Sequence, residues 1–175
     1  MRIISGKYRG MLLARFNGGE IRPTADRVKE SLFNILSRRI AGARVLDLFC
    51  GSGNLGIECI SRGAEFVHFN DISKDSVAVL KKNLSRLEEK NYSVTALDYA
   101  VCAARAGSFD LVFIDPPYAS DAGISALKII KLNADGVAVY ERDRPFSGEI
   151  DGLELYDERK YGRIYLSFFR KKEGI

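Results

Sequence analysis

A chain of 175 residues, 46% hydrophobic and 29% charged, has the composition of an ordinary globular protein and the length of one domain with a substantial core. No apolar run approaches the roughly 20 residues that span a bilayer, and MRIISGKYRG lacks the apolar region of a signal peptide, so a cytoplasmic protein with no membrane partner is expected. The net charge of +4 is uneven: residues 1–44 hold ten Lys/Arg against three Asp/Glu and the remainder 17 against 20, a basic arm beside a mildly acidic body that suggests contact with a polyanion.

Residues 2–16 read as two short strands around Gly10, with Ile3, Ile4, Leu12 and Leu13 as the apolar positions of a hairpin. Asn17-Gly18-Gly19 reads as a loop. Pro23-Thr24 opens a helix in which Thr24 is a natural N-cap and Val28, Leu32, Ile35 and Leu36 recur at helical spacing. Arg22, Arg27 and Lys29 stand near its start, where cations oppose the helix dipole. That placement suggests a ligand for them. From Arg44 onward, short apolar runs (RVLDLF, EFVHFND, YSVTAL, DLVFID, GVAVYE) alternate with helical segments at about 54–62, 73–88, 99–105 and 120–131. The alternation predicts βαβ units and a mostly parallel, doubly wound sheet. Two last strands, about 153–159 and 162–170, are expected to close it as an antiparallel pair. The whole chain, 1–175, is expected to be one α/β domain: an N-terminal extension over 1–22, then a core with its leading helix over 23–175.

The three cysteines, Cys50, Cys59 and Cys102, are widely spaced and include no Cys-x-x-Cys pair, against a disulfide framework or a zinc ribbon. His68, the single histidine, sits in the buried-type run FVHFN and reads as a packed residue. Metal and Ser-His-Asp chemistry have little to work with, and no metal is expected.

Asp47-Leu48-Phe49-Cys50-Gly51-Ser52-Gly53-Asn54-Leu55-Gly56 runs from the first core strand into a helix and holds Gly-x-Gly-x-x-Gly at 51, 53 and 56. Glycines there let the chain turn sharply and approach a ligand closely. Asp71, at the end of the second strand, can accept both hydroxyls of a ribose. NAD and S-adenosylmethionine both fit this pattern. Asp47 discriminates: it would repel a pyrophosphate and favour the α-ammonium of S-adenosylmethionine. Asp98, past the third strand, can meet an adenine amino group, although an aspartate in that place also serves as a helix cap.

Asp115-Pro116-Pro117-Tyr118 ends the fourth strand, at the switch point where doubly wound sheets bind ligands. Consecutive prolines stiffen the turn and present carbonyls without a competing N–H. An exocyclic amino nitrogen on a nucleobase is a poor nucleophile because its lone pair is delocalised into the ring. Asp115 and the Pro116 carbonyl can each accept one amino hydrogen and aim that lone pair, and Asp115 offsets the charge developing on nitrogen. Tyr118 can stack on the base. Cys50 reads as a small buried residue rather than a nucleophile.

With these residues in view, the chain resembles the bacterial RsmD-like family, which methylates guanine N2 in small-subunit ribosomal RNA. The resemblance runs nearly the full length: RIISGKYRG, RPTADRVKESLFNIL, DLFCGSGNLGIE, DPPY and YGRIYLSFF. It implies the class I S-adenosylmethionine-dependent methyltransferase fold, a Rossmann-like sheet with antiparallel C-terminal strands. It also implies 16S ribosomal RNA as partner, either naked or within a small-subunit assembly particle, with guanine 966 in the usual numbering as the target. The implied cofactor contacts are Thr24, Asp47, Gly51, Gly53, Asp71 and Asp98, completed by the neighbours Phe49, Ser52, Asn54 and Ile72. Asp115 and Tyr118, with Pro116 and Pro117 between them, would hold the guanine. Arg2, Lys7, Arg9, Arg22 and Arg27 would meet RNA phosphates. The chain departs from the family's pattern at Met11, where a basic residue is usual, at Ser73, where an acid is, and at Arg163, where a small or acidic residue is. Alternatives are an adenine-N6 nucleic-acid methyltransferase, which shares the tetrapeptide, a protein glutamine methyltransferase, an inactive RNA-binding assembly factor, and an NAD oxidoreductase.

Overall fold

The computed structural model describes residues 1–15, 23–117 and 120–173, with side chains of the second stretch described from Asp26 onward. The alternation read from Arg44 onward forms β1 (Arg44–Asp47), α2 (Asn54–Ser61), β2 (Phe66–Asn70), α3 (Lys74–Leu84), β3 (Tyr92–Thr95), α4 (Tyr99–Arg105), β4 (Ser108–Ile114), α5 (Ala122–Leu127) and β5 (Lys131–Arg142). These are preceded by α1 (Pro23–Ile35) and a 3-10 turn at Ser37–Arg39, and followed by β6 (Leu153–Tyr161) and β7 (Ile164–Lys171). The strands make one sheet in the order β3-β2-β1-β4-β5-β7-β6. β1 to β5 pair in parallel, and β7 enters antiparallel between β5 and β6. The expected doubly wound sheet with an antiparallel end is therefore present.

Strand alternation divides the core into two layers. Val45, Phe69, Leu111, Phe113 and Val139 face α1, α2 and α3, while Leu46, Val112, Ile114 and Ala138 face α4 and α5. The sheet order reverses between β1 and β4, so a crevice opens at the carboxyl ends of those strands.

Several boundaries differ from the sequence reading. α1 begins at Pro23, so Thr24 lies in its first turn and not at the cap; proline suits that first position because its missing N–H would have no helical partner. α3 ends at Leu84, short of 88. α5 stops at Leu127, with the N–H groups of Ile129 and Ile130 both donating to the Ala126 carbonyl, and β5 starts at Lys131. The early start of β5 needs a register shift against β4 between Phe109 and Leu111. Gly136 permits it, since a β-carbon there would lie 2.8 Å from the Phe109 carbonyl oxygen.

The N-terminal hairpin is reduced to one antiparallel bridge, Arg2 with Leu12. Ile3 and Leu13 are buried, but Leu12 is 62% exposed, so only part of the expected apolar set faces inward. The segment is fastened by polar contacts instead. Glu58, fully buried on α2, accepts from the Ile4 and Ser5 N–H groups at 2.8 and 3.0 Å and pairs with Lys29 and Arg62, each at 2.8 Å. Burial alone would push the Glu58 carboxyl up, but Lys29 and these donors outweigh it and hold the group below its ordinary value. Lys29 also donates to Asn54 Oδ1 at 2.8 Å and to the Arg2 carbonyl at 3.1 Å. The ligand suspected for Lys29 is thus an internal carboxylate. Asn83 of α3 exchanges bonds with the Ala14 backbone and donates to the Ser52 carbonyl at 2.9 Å, tying this arm to the glycine loop.

Candidate active site

The glycine loop leaves β1 and turns into α2 through two positive-φ residues, Gly51 (52°) and Gly53 (87°). Gly56 serves close packing: a β-carbon there would lie 2.2 Å from the Phe69 ring. Asp47 is buried, and its Oδ2 accepts from the Gly56 N–H at 2.9 Å, a donor at the open end of α2. Burial raises its carboxyl from 3.8 to about 7, with the Gly56 bond opposing and Asp71 adding to the rise. The Asp71 carboxylate accepts from the Gly51 N–H at 2.8 Å and the Ser73 N–H at 2.9 Å, so it braces the loop as well as facing the crevice. Asp98 caps α4, accepting from the Ala100 N–H at 2.8 Å, while also lining the crevice. The capping reading of Asp98 is thus observed, and the residue also stands on the crevice wall.

The crevice at the switch point has two compartments. The larger, about 650 Å³, runs from Phe49 and Tyr99 past Asp71 and Ile72 to Asp115 and Glu141. The Phe49 and Tyr99 ring centroids are 5.5 Å apart, and Ile72 is 70% exposed at the rim, giving apolar surfaces for a flat ring. The smaller compartment, about 280 Å³, lies under α1 and is lined by Asp47, Ser52, Asn54 and Lys29 among others. Phe49, Gly51, Asp115 and Glu141 line both compartments.

Asp115 therefore stands at the junction. It is exposed to the open cleft, and the desolvation imposed by the surrounding walls, followed by repulsion from Glu141 and Asp47, raises its carboxyl above the ordinary aspartate range. Pro116 is buried, and the Pro117 carbonyl is taken by the Ser120 N–H and hydroxyl, both at 3.1 Å. Both prolines line the crevice beside Asp115. Tyr118 and Arg22 lie outside the described residues, as does the side chain of Thr24.

The larger compartment offers four acids, Asp71, Asp98, Asp115 and Glu141, and no Lys or Arg among its described lining residues. A pyrophosphate would meet like charge throughout. A ligand with an adenine, a ribose diol and a cationic centre matches the apolar rim, Asp71 and the acids in order. The donor set fits S-adenosylmethionine and not NAD.

Sequence reading missed several residues that shape this crevice. Asn70 is buried and ties three strand ends together, donating to the Leu48 and Leu97 carbonyls while its Oδ1 accepts from the Thr95 hydroxyl at 2.7 Å. Tyr99 and Glu141 were equally unmarked. An acid ending the buried run GVAVYE was the available signal for Glu141. His68 bonds to the hydroxyls of Ser93 (2.6 Å) and Thr95 (3.0 Å) and is a packed residue, as expected. Cys50 is buried, and burial, with Asp47 and Asp71 next, pushes its thiol up, against a nucleophilic role.

Of the basic residues expected to meet RNA, Arg2, Arg9 and Arg27 are exposed. Lys7 is engaged by Glu88 at 2.7 Å and Glu89 at 2.8 Å, which compensates its charge within the protein. Among the departures, Ser73 caps α3, its hydroxyl accepting from the Ser76 N–H at 3.2 Å. Met11 packs on the core, and Arg163 is exposed in the β6–β7 turn.

The family model Conserved hypothetical protein 95 matches residues 1–170. Ribosomal RNA small subunit methyltransferase D of Escherichia coli K12 is 35% identical over 182 residues, covering 99% of this chain and 92% of that protein. The protein of the same name from Haemophilus influenzae is 37% identical over 156 residues, 83% of this chain and 81% of that one. The solved structure of Escherichia coli yhhF superposes with a TM-score of 0.86 at 30% identity, covering 98% of each chain. The sheet order, the switch-point crevice and these likenesses agree: the chain has the class I S-adenosylmethionine-dependent methyltransferase fold and belongs to the Conserved hypothetical protein 95 family, the RsmD family.

Proposed function

We propose that this chain, acting as a single methyltransferase domain, methylates the exocyclic N2 amino group of a guanine in 16S ribosomal RNA, guanine 966 on the family resemblance. The RNA is presented naked or within a small-subunit assembly particle. The observation that carries the reading is the placement of Asp115 at the junction of the two compartments, beside the acid-lined crevice that fits S-adenosylmethionine. The likeness to proteins named for small-subunit ribosomal RNA methylation supports the substrate.

Asp71 and Asp98 would hold the ribose and adenine, Phe49 and Ile72 the ring faces, and Asp47 with Gly51 to Asn54 the amino-acid end. When bound, the cofactor supplies a methyl group on a sulfonium, whose thioether leaves without needing a proton. Asp115 and the Pro116 carbonyl accept the two amino hydrogens of the base and direct the nitrogen lone pair toward the cofactor compartment. Arg2, Arg9 and Arg27 supply phosphate contacts on the outer face of the N-terminal arm and α1.

Mass spectrometry of ribosomal RNA from cells with and without the gene tests base, atom and position together. Single-turnover methyl transfer tests the mechanism. Asp115→Ala is expected to lose roughly 10²–10³ in rate at saturating cofactor, the cost of removing a preorganised electrostatic partner. Asp115→Asn should retain more activity because its amide oxygen still accepts a hydrogen. Wild-type turnover in Asp115→Ala would reduce the tetrapeptide to a structural turn.

A further inference from the structure

We infer that Arg142, buried behind the Pro116-Pro117 turn, receives a phosphodiester of the RNA next to the target nucleotide. The inference rests on the proposed methylation of ribosomal RNA, and it adds a backbone contact at the site itself, apart from the exposed arginines of the N-terminal arm and α1.

Arg142 ends β5, opposite Tyr165 of β7. It is 7% exposed, and its Nε and Nη1 have no hydrogen-bond partner among the described residues. Its guanidinium lies 5.2 Å from the ring centroid of Tyr140 and 5.4 Å from that of Phe146. The rings fix the group and offset part of its lost hydration. They leave the two N–H groups without an acceptor. A cation kept from water in that state is costly, so its place in the fold points to a ligand that brings the acceptor.

The surroundings identify that ligand. Tyr140 packs in the layer under α4 and α5, and alternation turns Arg142 to the same side. There Arg142, Arg144, Pro116, Pro117 and Ser120 are among the residues lining a recess of about 10 Å³, space for a single oxygen. Pro116 and Pro117 also line the larger crevice compartment, so recess and crevice are two sides of one turn. A base held by Asp115 on one side brings its own sugar and phosphates past the other. One non-bridging oxygen enters the recess to meet Nε or Nη1, and the second stays at the mouth beside the exposed Arg144. Guanidinium groups suit this role because their planar N–H groups match phosphate oxygens. Glu141 and Asp143 also border the recess, and Asp143 stands 3.9 Å from Arg144. The anion is therefore drawn by direct contact with Arg142 and not by net charge. A water in the recess would satisfy one N–H and leave the charge uncompensated.

The test uses the RNA that wild-type protein methylates, with a neutral methylphosphonate replacing each phosphate beside the target in turn. In wild-type protein one of these linkages should weaken RNA binding ~10-fold or more, the loss expected for charge-assisted hydrogen bonds. Arg142→Met keeps apolar bulk against the rings and removes the charge. It should weaken binding of unmodified RNA by a similar factor and lower the log–log salt slope by ~0.7–0.9. In that variant the sensitive linkage should no longer matter, because its partner is gone. Its melting temperature should be no lower than that of wild type, since a buried uncompensated cation has been removed. Affinity for S-adenosylmethionine should be unchanged. An arginine that only packs on its rings gives the opposite pattern, a lower melting temperature with unaltered RNA affinity, and that result overturns the assignment. A methylphosphonate penalty that persists undiminished in Arg142→Met overturns it as well. So does wild-type protein that tolerates methylphosphonate at every linkage beside the target, a measurement that requires no variant to fold. Failure of the proposed function itself is separate: wild-type protein would then put no methyl group on guanine in any ribosomal RNA substrate.

Discussion

The proposed contact of Asp47 with the cofactor predicts that affinity depends on pH, and the size of the effect follows from the burial of the carboxyl. Its folded-state value lies at about 7, against 3.8 for an ordinary aspartate, because the group is 2% exposed and only the Gly56 N–H opposes the loss of solvent. Between these values the folded protein holds a proton that the unfolded chain has released. Stability therefore falls as pH rises from about 4 to about 7, by on the order of 4 kcal/mol at 1.36 kcal/mol per pH unit. If the carboxylate is the form that meets the cofactor's α-ammonium, only the ionised fraction binds well. That fraction is ~0.1 at pH 6 and ~0.75 at pH 7.5, so affinity should rise ~8-fold over the interval. Above about pH 8 the cofactor's own α-amino group loses its proton and affinity should fall again. Asp47→Asn keeps an oxygen for the Gly56 N–H but cannot ionise. It should bind about 1.5–3 kcal/mol more weakly at pH 7.5 and lack the acid limb. Titration calorimetry with S-adenosylmethionine at pH 6, 7.5 and 9 measures this directly, and thermal melts of both proteins across pH 4–8 measure the stability term. The same acid limb in wild type and Asp47→Asn would remove Asp47 from the ammonium site, whatever its place in the α2 terminus.

Glu58→Gln leaves Lys29 buried without its countercharge and is expected to cost about 3–5 kcal/mol in urea unfolding; a loss under 1 kcal/mol would mean that the N-terminal arm is held mainly by Ile3 and Leu13. The three exposed arginines should carry RNA affinity where Lys7 does not. Arg2, Arg9 and Arg27 changed together to Gln should weaken RNA binding and reduce the log–log salt slope by up to about 3, roughly 0.7–0.9 per phosphate contact. Lys7→Ala should leave the slope unchanged because Glu88 and Glu89 already engage that ammonium; a Lys7 effect equal to that of one arginine would show that RNA displaces the pair.

The sequence by itself determined the sheet, the glycine loop and the Asp115-Pro116-Pro117 turn, because each is written in local order. Buried parallel strands appear as continuous apolar runs, and the positive-φ turn at Gly51 and Gly53 requires glycine whatever surrounds it. The position of Asp47 was legible for a similar reason: it precedes the loop by a fixed spacing, and a carboxylate there opposes a pyrophosphate. Tertiary structure decided what depends on partners far apart in the chain. Lys29 looks like a cation awaiting a ligand until Glu58 arrives from α2, 29 residues on, at 2.8 Å. Lys7, expected as an RNA contact, stands within 2.8 Å of Glu88 and Glu89, more than 80 residues on. Glu141 is an unremarked acid at a strand end until the β4–β5 register sets it beside Asp115. Composition and spacing record which charges a chain carries; only the packed fold determines which of them come together.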